Sequence, residues 1–356
     1  MPLRLGTTAA GLVTGYVTDA LFGDPRTGHP VALFGTAAAR LEHRLWADSK
    51  SRGAAYAALC TFGAVGLGAA LQLATRRRPF ARFLLTAAST WVVLGGRGLA
   101  AEGTEMARLL EAGEVPEARQ RLSHLCARDA TALDSAELTR AATESIAENT
   151  SDAVVAPLFW GAVAGMPGLL GYRALNTLDA MVGYRSPRYR RFGWAAARAD
   201  DVVNLVPSRI GAALTALCAG GRARESWRVW RRDGSRHPSP NAGQVEAAFA
   251  GALDIRLGGT NSYGGEVESR ARLGEGRDPE PVDLRRAVRL SRLVGLAAVA
   301  IAAGAAPATP WGAAPVQSIG SRWGKRPARR SVDNSARPGL VVHNSAVAGL
   351  AVDNRR

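Results

Sequence analysis

The stretch AAYAALCTFGAVGLGAALQLAT at residues 54–75 contains 22 residues and not one charge. A helix rises about 1.5 Å per residue, so about 20 apolar residues cover the ~30 Å hydrocarbon core of a bilayer. A second charge-free run, AVVAPLFWGAVAGMPGLLGY, occupies residues 153–172, and a third extends from Leu293 to Ser321. Three such runs in one chain indicate a membrane protein, and the alternative is a soluble protein with several buried core helices.

Three weaker apolar stretches contain one or two charges each and are residues 5–22, 80–101 and 202–221. We therefore predict an all-α integral membrane protein with about 4–6 apolar helices, whose polar loops form a site at the membrane face. Prolines interrupt residues 153–221, which makes this region the candidate for a re-entrant or peripheral segment rather than a full span.

The overall composition excludes several classes of protein. With 47% hydrophobic and 21% charged residues, the chain of 356 residues is neither a disordered chain nor a coiled coil. Three scattered cysteines exclude a disulfide scaffold. The net charge of +15 is compatible with nucleic-acid binding. No nucleic-acid motif accompanies that charge, so we predict no nucleic-acid partner and assign the basic surplus to loops beside the lipid bilayer.

The C-terminal region contains a ten-residue repeat, VDNSARPGLV (332–341) followed by VHNSAVAGLA (342–351). Two copies are too few to build a solenoid. We predict a membrane-embedded domain at residues 1–314 and a disordered, basic, repeat-containing tail at residues 315–356.

A stripe of charged residues leads into the second apolar run. Arg140, Glu144, Glu148 and Asp152 follow one another at intervals of four residues, with Asn149 adjacent. On a helix this spacing places all four charges on one face. Such a stripe is also typical of a solvated helix surface, but acids at a membrane boundary usually face a cavity or a cation.

Two further polar clusters follow. NTLDAMVGY (176–184) contributes Asp179, and ADDVVN (199–204) contributes Asp200 and Asp201. Carboxylates suit Mg²⁺, which binds through one or two of them together with water and substrate phosphates. Asp152, Asp179, Asp200 and Asp201 are the candidate metal ligands.

The turn RHPSPNAG (236–243) precedes an Ala-rich helical pattern and combines Arg236, His237 and Asn241. We predict that Asn241 caps this helix and that the helix N-terminus with its cationic neighbours binds phosphate. A second Gly-rich segment, LGGTNSYGG (257–265), is a candidate for a close approach to phosphate, and both segments are equally compatible with ordinary turns.

Read in order, the motifs resemble the CobD/CbiB family of cobalamin biosynthesis from about residue 10 to about residue 305. They are GYVTDALFGDP, ESIAEN, VAPLFW, YRALNTLDAMVGY, AAARADDVVN, RHPSPNAG and LGG followed by YGG. Ala180 departs from the pattern, because the family often has Ser after NTLD. The C-terminal tail has no counterpart in the family.

The resemblance implies a multi-pass protein of the bacterial inner membrane. It implies an adenosylcobinamide-phosphate synthase, which joins the free carboxylate of adenosylcobyric acid to (R)-1-amino-2-propanol or its O-phosphate. It further implies ATP and Mg²⁺ as cofactors, a corrinoid as substrate, and other membrane enzymes of the cobalamin pathway as candidate partners.

For this chemistry we expect catalytic roles for Glu148, Glu144 and His237, with Glu148 or His237 accepting the proton of the amine. We expect the nucleotide and phosphate groups to contact residues with amide or guanidinium side chains, namely Arg198, Arg209, Arg236, Asn241 and Asn149.

Two other functions remain open. One is a membrane-embedded prenyltransferase, because Asp-rich motifs hold diphosphate and Mg²⁺ in such enzymes, although Asn stands at key positions here. The other is a transporter without covalent chemistry, for which inverted repeats would be expected. The sequence shows no internal inversion.

Overall fold

The computed structural model describes residues 6–24, 28–126, 128–184, 186–263 and 266–306, and it does not describe the side chains of residues 260–270. The described chain is mainly helical. Its helices are α1 Thr7–Phe22, α2 Pro30–Leu45, α3 Lys50–Ala74, α4 Pro79–Val93, α5 Gly96–Glu111, α6 Val115–Leu122, α7 Ser135–Thr150, α8 Ala156–Ala164, α9 Met166–Val182, α10 Trp194–Cys218, α11 Ala223–Asp233, α12 Ala242–Leu253 and α13 Pro281–Ala305. A π-helical turn, Ser151–Val155, joins α7 to α8, and a 3₁₀ turn, Gly220–Arg222, precedes α11.

A β-hairpin departs from the all-α prediction. Strands β1 Leu257–Tyr263 and β2 Glu266–Leu273 pair in antiparallel register, with an irregularity between Leu257 and Gly259. Gly258 and Gly259 have φ of 79° and 99°, a region that L side chains avoid and that suits a bulge. The glycines of LGG therefore shape a strand rather than a loop, and a role of this segment in phosphate binding stays a prediction.

Three helical segments of the described chain are long and apolar enough to cross a membrane, namely Lys50–Ala74, Pro79–Glu111 and Pro281–Ala305. They correspond to the predicted apolar stretches at 54–75, at 80–101 and after Leu293, so these predictions are confirmed. A fourth candidate is the pair Trp194–Cys218 and Gly220–Asp233, which is bent by 118°. The described chain thus has three to four candidate spans, against the predicted four to six.

The apolar run at residues 153–172 is not a single span. It divides at Gly165, where the backbone adopts a φ of +67° and reverses direction between α8 and α9. Helix α8 has only nine residues, too few to cross a bilayer. The Gln72 Oε1 atom accepts a hydrogen bond from the Met166 backbone N–H at 3.2 Å and holds the turn.

Glycines allow the apolar helices to approach one another closely. In GLVTG (11–15), a Cβ on Gly15 would lie 2.4 Å from the Thr90 Cβ atom of α4. On α3, a Cβ on Gly68 would lie 2.7 Å from the Met166 backbone at the start of α9. Because lipid offers no hydrophobic drive for helix pairing, small residues that permit backbone contact supply packing energy instead.

The largest core of the described chain surrounds α12, in which all twelve residues are buried. Helices α10 and α11 pack on α12, and α13 packs on α5 and α7. This arrangement brings the C-terminal end of α7, the middle of α9 and the N-terminal half of α10 together. The predicted tail at residues 315–356 lies outside the described residues and stays a prediction.

Candidate functional site

The candidate site begins where α7 passes into the π-helical turn. Pro157 has no backbone N–H, so carbonyls one turn before it lose their helical partner. The Ala153 carbonyl accepts a hydrogen bond from the Gly95 N–H at 3.2 Å, and the Asp152 carbonyl accepts one from the Tyr172 hydroxyl at 3.0 Å. Such π-helical turns occur frequently at functional sites. Here the turn places Asp152 opposite α9.

A second proline shapes α10 in the same way. Pro207 lies inside the helix and removes the hydrogen bond to the Val203 carbonyl. The Trp160 indole N–H donates to that carbonyl at 3.1 Å. Tertiary contacts therefore satisfy the backbone at both prolines, as the interior of a membrane protein requires.

Four carboxylates from four elements converge at this point, and we call them the acidic cluster. Its members are Glu148 (α7), Asp152 (π-helical turn), Asp179 (α9) and Asp200 (α10), which lie close enough to interact electrostatically. The structure thus brings one or two acids from each of the predicted polar segments close together, while their role as one functional site stays a prediction.

Burial and mutual repulsion disfavour the charged carboxylates. Burial, followed by the charges of Asp200 and Glu148, raises the pKa of Asp152. Burial, followed by the charge of Asp201, raises the pKa of Asp179 to about 6. Desolvated like charges raise one another's pKa values unless a cation neutralises them.

A short hydrogen-bond chain orders the cluster. The Tyr172 hydroxyl lies 3.0 Å from the Asn204 Oδ1 atom, and the Asn204 amide donates to the Asp200 Oδ2 atom at 3.0 Å. The other oxygen, Asp200 Oδ1, is buried and accepts no hydrogen bond from the described residues. A buried carboxylate oxygen without a donor is costly, and a cation would satisfy it.

The donor set fits Mg²⁺ rather than an ion held entirely by protein. Among the described residues, no three His, Cys, Asp or Glu side chains are arranged to hold a metal ion together. Mg²⁺ commonly binds through one or two carboxylates and keeps waters or substrate phosphates as its remaining ligands. Asp200 and Asp152 are the residues best placed for this role.

Asp201 lies beside the acidic cluster, close enough to Asp179 and Asp200 to interact with them electrostatically. Its carboxylate lies 3.5 Å from Arg198, and both side chains are partly exposed. Its backbone carbonyl accepts a hydrogen bond from the Asn241 amide at 2.8 Å. Asn241 is buried and its Oδ1 atom accepts from Ser208 at 3.2 Å, so it ties the start of α12 to α10.

The N-terminus of α12 is capped by Ser239 rather than by Asn241. Asn241 stands at the capping position, but its side chain makes no capping hydrogen bond. The Ser239 Oγ atom instead accepts from the N–H groups of Asn241 and Ala242, each at 3.2 Å. The prediction of an Asn241 cap is therefore wrong, because Ser239 supplies the capping oxygen, and the predicted phosphate site at this helix stays a prediction.

The neighbouring basic side chains, the buried His237 and the exposed Arg236, make contacts close to the turn. The His237 side chain is buried, its Nδ1 atom accepts from the Ser239 N–H at 3.0 Å, and its Nε2 atom lies 3.9 Å from Glu246. Arg236 pairs with the buried Asp233 at 3.1 Å. These contacts give His237 and Arg236 positions that stabilise the turn, and the structure does not bring them to the acidic cluster.

Glu144 differs from Glu148 although both lie on α7. Glu144 is buried; its Oε2 atom lies 2.6 Å from Arg128 Nη2, and its Oε1 atom accepts from the Gly258 N–H at 2.8 Å. Arg140 donates to the Gly258 carbonyl. The predicted stripe thus divides: Arg140 and Glu144 hold the β-hairpin, and its surroundings do not support a catalytic role for Glu144.

Two other predicted contacts are local. The Asn149 amide donates to the Ser145 carbonyl at 2.9 Å, and Arg209 donates to the Leu205 carbonyl at 2.7 Å. Each bond lies within a single helix. Their predicted roles in phosphate binding remain predictions.

Sequence reasoning missed Tyr172 and Arg173 as site residues. Tyr172 is the last residue of the charge-free run at residues 153–172, and Arg173 follows it directly. An arginine next to an apolar segment was the available signal, because an ionisable residue at membrane depth is commonly functional.

Comparison with known proteins gives a consistent result. The family model described as CobD/Cbib protein matches residues 12–291. The chain is 55% identical over 301 residues to the cobalamin biosynthesis protein CobD of Mycobacterium tuberculosis (strain H37Rv), covering 83% of this chain and 95% of the relative. It is 42% identical over 286 residues to the protein of the same name from Geobacter metallireducens, covering 76% and 89%. No solved structure matches the chain significantly.

Proposed function

Since the chain belongs to the CobD/CbiB family of cobalamin biosynthesis proteins, we propose that it catalyses an ATP-dependent amide ligation. The substrates are the free carboxylate of adenosylcobyric acid and (R)-1-amino-2-propanol or its O-phosphate, and the product is adenosylcobinamide or its phosphate. The observation that carries this proposal is the acidic cluster, in which the buried Asp200 Oδ1 atom has no donor among the described residues.

The ligation requires activation of the acid, because a carboxylate oxygen is a poor leaving group. In the first step a carboxylate oxygen attacks the γ-phosphorus of ATP, and ADP leaves. In the second step the amine nitrogen attacks the acyl carbon, inorganic phosphate leaves with one former carboxylate oxygen, and the amine loses a proton. Positioning and charge stabilisation supply most of the catalysis in phosphoryl transfer.

The acidic cluster would hold the magnesium ion of Mg-ATP through Asp200 and Asp152. A bound Mg²⁺ neutralises phosphate charge during the transfer. Asn204 and Tyr172 orient Asp200, while Tyr172 also fixes the backbone at Asp152. These contacts fix the carboxylates before the substrate binds, which lowers the cost of reorganisation.

Glu148 is the member of the cluster best placed to accept the proton from the amine. Its side chain is exposed, whereas Asp152 and Asp179 are partly buried. An exposed carboxylate at the rim can exchange the proton with solvent, as a general base requires. We assign the role of base to Glu148 rather than to the buried His237.

We place the reaction at the bacterial inner membrane, in a multi-pass protein surrounded by the lipid bilayer. Three to four candidate spans support this location. Other membrane enzymes of the cobalamin pathway are the proposed protein partners, since they would exchange corrinoid intermediates at the same surface.

The purified protein in detergent tests the proposal with corrinoid acid carrying ¹⁸O in its carboxylate. With amino-propanol phosphate and Mg-ATP, we expect the amide product and one ¹⁸O atom in the released inorganic phosphate. A parallel reaction without ATP is the control. Amide formation with ¹⁸O in AMP would contradict the acyl-phosphate route. Absence of any amide, under conditions in which a relative is active, would favour a transporter or a prenyltransferase instead.

A further inference from the structure

An apolar cavity of about 390 Å³ lies between α2, α3, α4 and α9. Its walls include Phe34, Leu59, Leu67 and Val93. Among the described residues that line it, Arg173 carries the only charge. A single cation in an apolar cavity requires a compensating anion.

Arg173 lies at the depth of a candidate span. Helix α9 runs antiparallel to α3, because Gly68 of α3 contacts Met166 while Gly53 contacts Phe192, which follows α9. Arg173 therefore lies beside the middle part of α3, next to Cys60 and Gly63 of the cavity wall. Ionisable residues at such a depth commonly mark a substrate pathway or a ligand site.

The guanidinium has donor capacity that the described residues do not use. Its Nε atom is shielded from solvent and makes no hydrogen bond to them, and its Nη1 atom makes one long bond of 3.4 Å to Asn176 Oδ1. Asp24 and Asp152 are close enough to interact electrostatically. Asp24 also lies 3.5 Å from His29, and Asp152 belongs to the acidic cluster.

Adjacent positions on α9 connect the cavity to the acidic cluster. Tyr172 contacts Asp152 and Asn204 of the cluster side, whereas Arg173 lines the cavity. Successive residues of a helix point about 100° apart, so a group bound by Arg173 lies at the boundary between the cavity and the cluster. A group that accepts the γ-phosphate of a nucleotide held at the acidic cluster would lie at this boundary.

We propose that Arg173 binds the reacting carboxylate of the acid substrate, with the adjoining carbon chain in the apolar cavity. This inference rests on the proposed function. A guanidinium fork matches the two oxygens of a carboxylate. Because Asp24 and Asp152 already lie near Arg173, a carboxylate that adds one negative charge is favoured over a phosphate dianion that adds two.

Equilibrium binding tests the inference without any turnover. Corrinoid acid and its neutral carboxamide analogue are titrated against the protein in the absence of ATP, with binding followed by the absorbance of the corrin. We expect the wild type to prefer the acid by about 30-fold, as for a hydrogen bond to a charged group. Arg173→Gln should bind both ligands equally, and Arg173→Lys should retain part of the preference.

Arg228→Gln is the matched control, because Arg228 is exposed and pairs with Glu225 far from the cavity; it should keep the full preference.

If Arg173→Gln does not fold, the inference is still tested by Arg173→Lys and by the binding of the two ligands to the wild type. Equal binding of acid and amide by the wild type would overturn the inference, as would an unchanged preference in either Arg173 variant. Competition by inorganic phosphate that Arg173→Gln abolishes, together with equal binding of acid and amide by the wild type, would assign the site to phosphate and overturn the inference. If the protein prefers the acid but forms no amide, the proposed function is refuted while the assignment of Arg173 to carboxylate binding stands.

Discussion

Two buried carboxylates of this protein contrast in how their oxygens are used. Glu144 has both oxygens paired, one with the buried Arg128 at 2.6 Å and one with the Gly258 N–H at 2.8 Å. Asp200 has one oxygen paired with Asn204 at 3.0 Å, while its Oδ1 atom has no donor among the described residues. Glu144 is neutralised within the fold, and Asp200 lies among other acids.

This contrast separates carboxylates that hold the fold from those left open for a ligand. Removing one partner of a buried ion pair leaves an uncompensated charge and destabilises the protein. Neutralising one member of a group of repelling acids relieves their mutual repulsion and so does not destabilise the fold. It weakens only the binding of a ligand that the group would hold. Neutralising the two kinds of carboxylate should therefore change the free energy of unfolding in opposite directions.

The largest effect is expected on stability from Glu144→Gln. The change leaves Arg128 buried opposite a neutral group, which costs about 3–5 kcal/mol of folding free energy. Thermal unfolding in detergent should shift strongly downward, and the amount of inserted protein should fall. A stable Glu144→Gln protein that has lost only turnover would restore the catalytic role predicted from the sequence.

Glu148→Gln should lower turnover by about 10²–10³, or about 3–4 kcal/mol, because it removes a preorganised charge from the acidic cluster. The amount of folded protein should stay unchanged, since the Glu148 side chain is exposed. Initial rates per folded molecule across a Mg²⁺ titration measure this effect. A wild-type rate with wild-type Mg²⁺ dependence would remove Glu148 from the site.

Tyr172→Phe should have an intermediate effect. It removes the hydroxyl that lies 3.0 Å from both the Asp152 carbonyl and the Asn204 side chain. Asp200 then loses the fixed orientation of its donor, and we expect a loss of about tenfold in turnover, as for one hydrogen bond of about 1.4 kcal/mol. Tyr189→Phe, whose hydroxyl bonds Glu42 at 3.0 Å, is the matched control and should keep its rate.

The smallest effect is a dependence on pH. The pKa of Asp179 is raised to about 6, so this carboxylate becomes protonated as the pH falls from 7 to 5.5. The Mg²⁺ concentration for half-maximal rate should rise up to about fourfold over that interval, because protonation removes one negative charge from the acidic cluster that attracts the metal. The stability of the folded protein should instead increase as the pH falls. Between the usual aspartate pKa and about 6, Asp179 binds a proton in the folded state but not in the unfolded state. Its contribution to the free energy of unfolding therefore rises as the pH falls.

Asp179→Asn tests the source of this pH dependence. Its half-saturating Mg²⁺ concentration should change less between pH 7 and 5.5 than that of the wild type, while Asp152, whose pKa is also raised by burial, accounts for the remainder. An unchanged slope in that variant would assign the titration to another group.

Much of the fold was predictable because long apolar runs report burial in lipid directly. The helices at 54–75 and after Leu293 follow from the absence of charge alone. The division of 153–172 was signalled by Pro157, Gly165 and Pro167, but composition does not reveal whether a proline bends a span or ends it. That outcome depends on tertiary donors such as Tyr172 and Trp160.

The candidate site was predictable as a set of acids but not in its division of roles. Glu144 and Glu148 are equivalent by helical spacing. They differ because Arg128, 16 residues away, and Gly258, 114 residues away, hold both oxygens of Glu144 in a buried position, whereas Glu148 is exposed. The open oxygen of Asp200 and the cavity beside Arg173 likewise arise from packing between distant helices.

Metal binding by Asp200→Asn tests most directly whether the acidic cluster holds the metal of the nucleotide. Mn²⁺ prefers the same oxygen ligands as Mg²⁺, and its electron paramagnetic resonance signal reports the bound fraction in the presence of a non-hydrolysable ATP analogue. We expect Asp200→Asn to weaken Mn²⁺ binding by about 10²-fold while the protein remains folded. Asp254→Asn is the matched control, since Asp254 is an exposed partner of Arg222 at a φ of 61°, which Asn tolerates. Wild-type Mn²⁺ affinity in a folded Asp200→Asn protein would contradict the account.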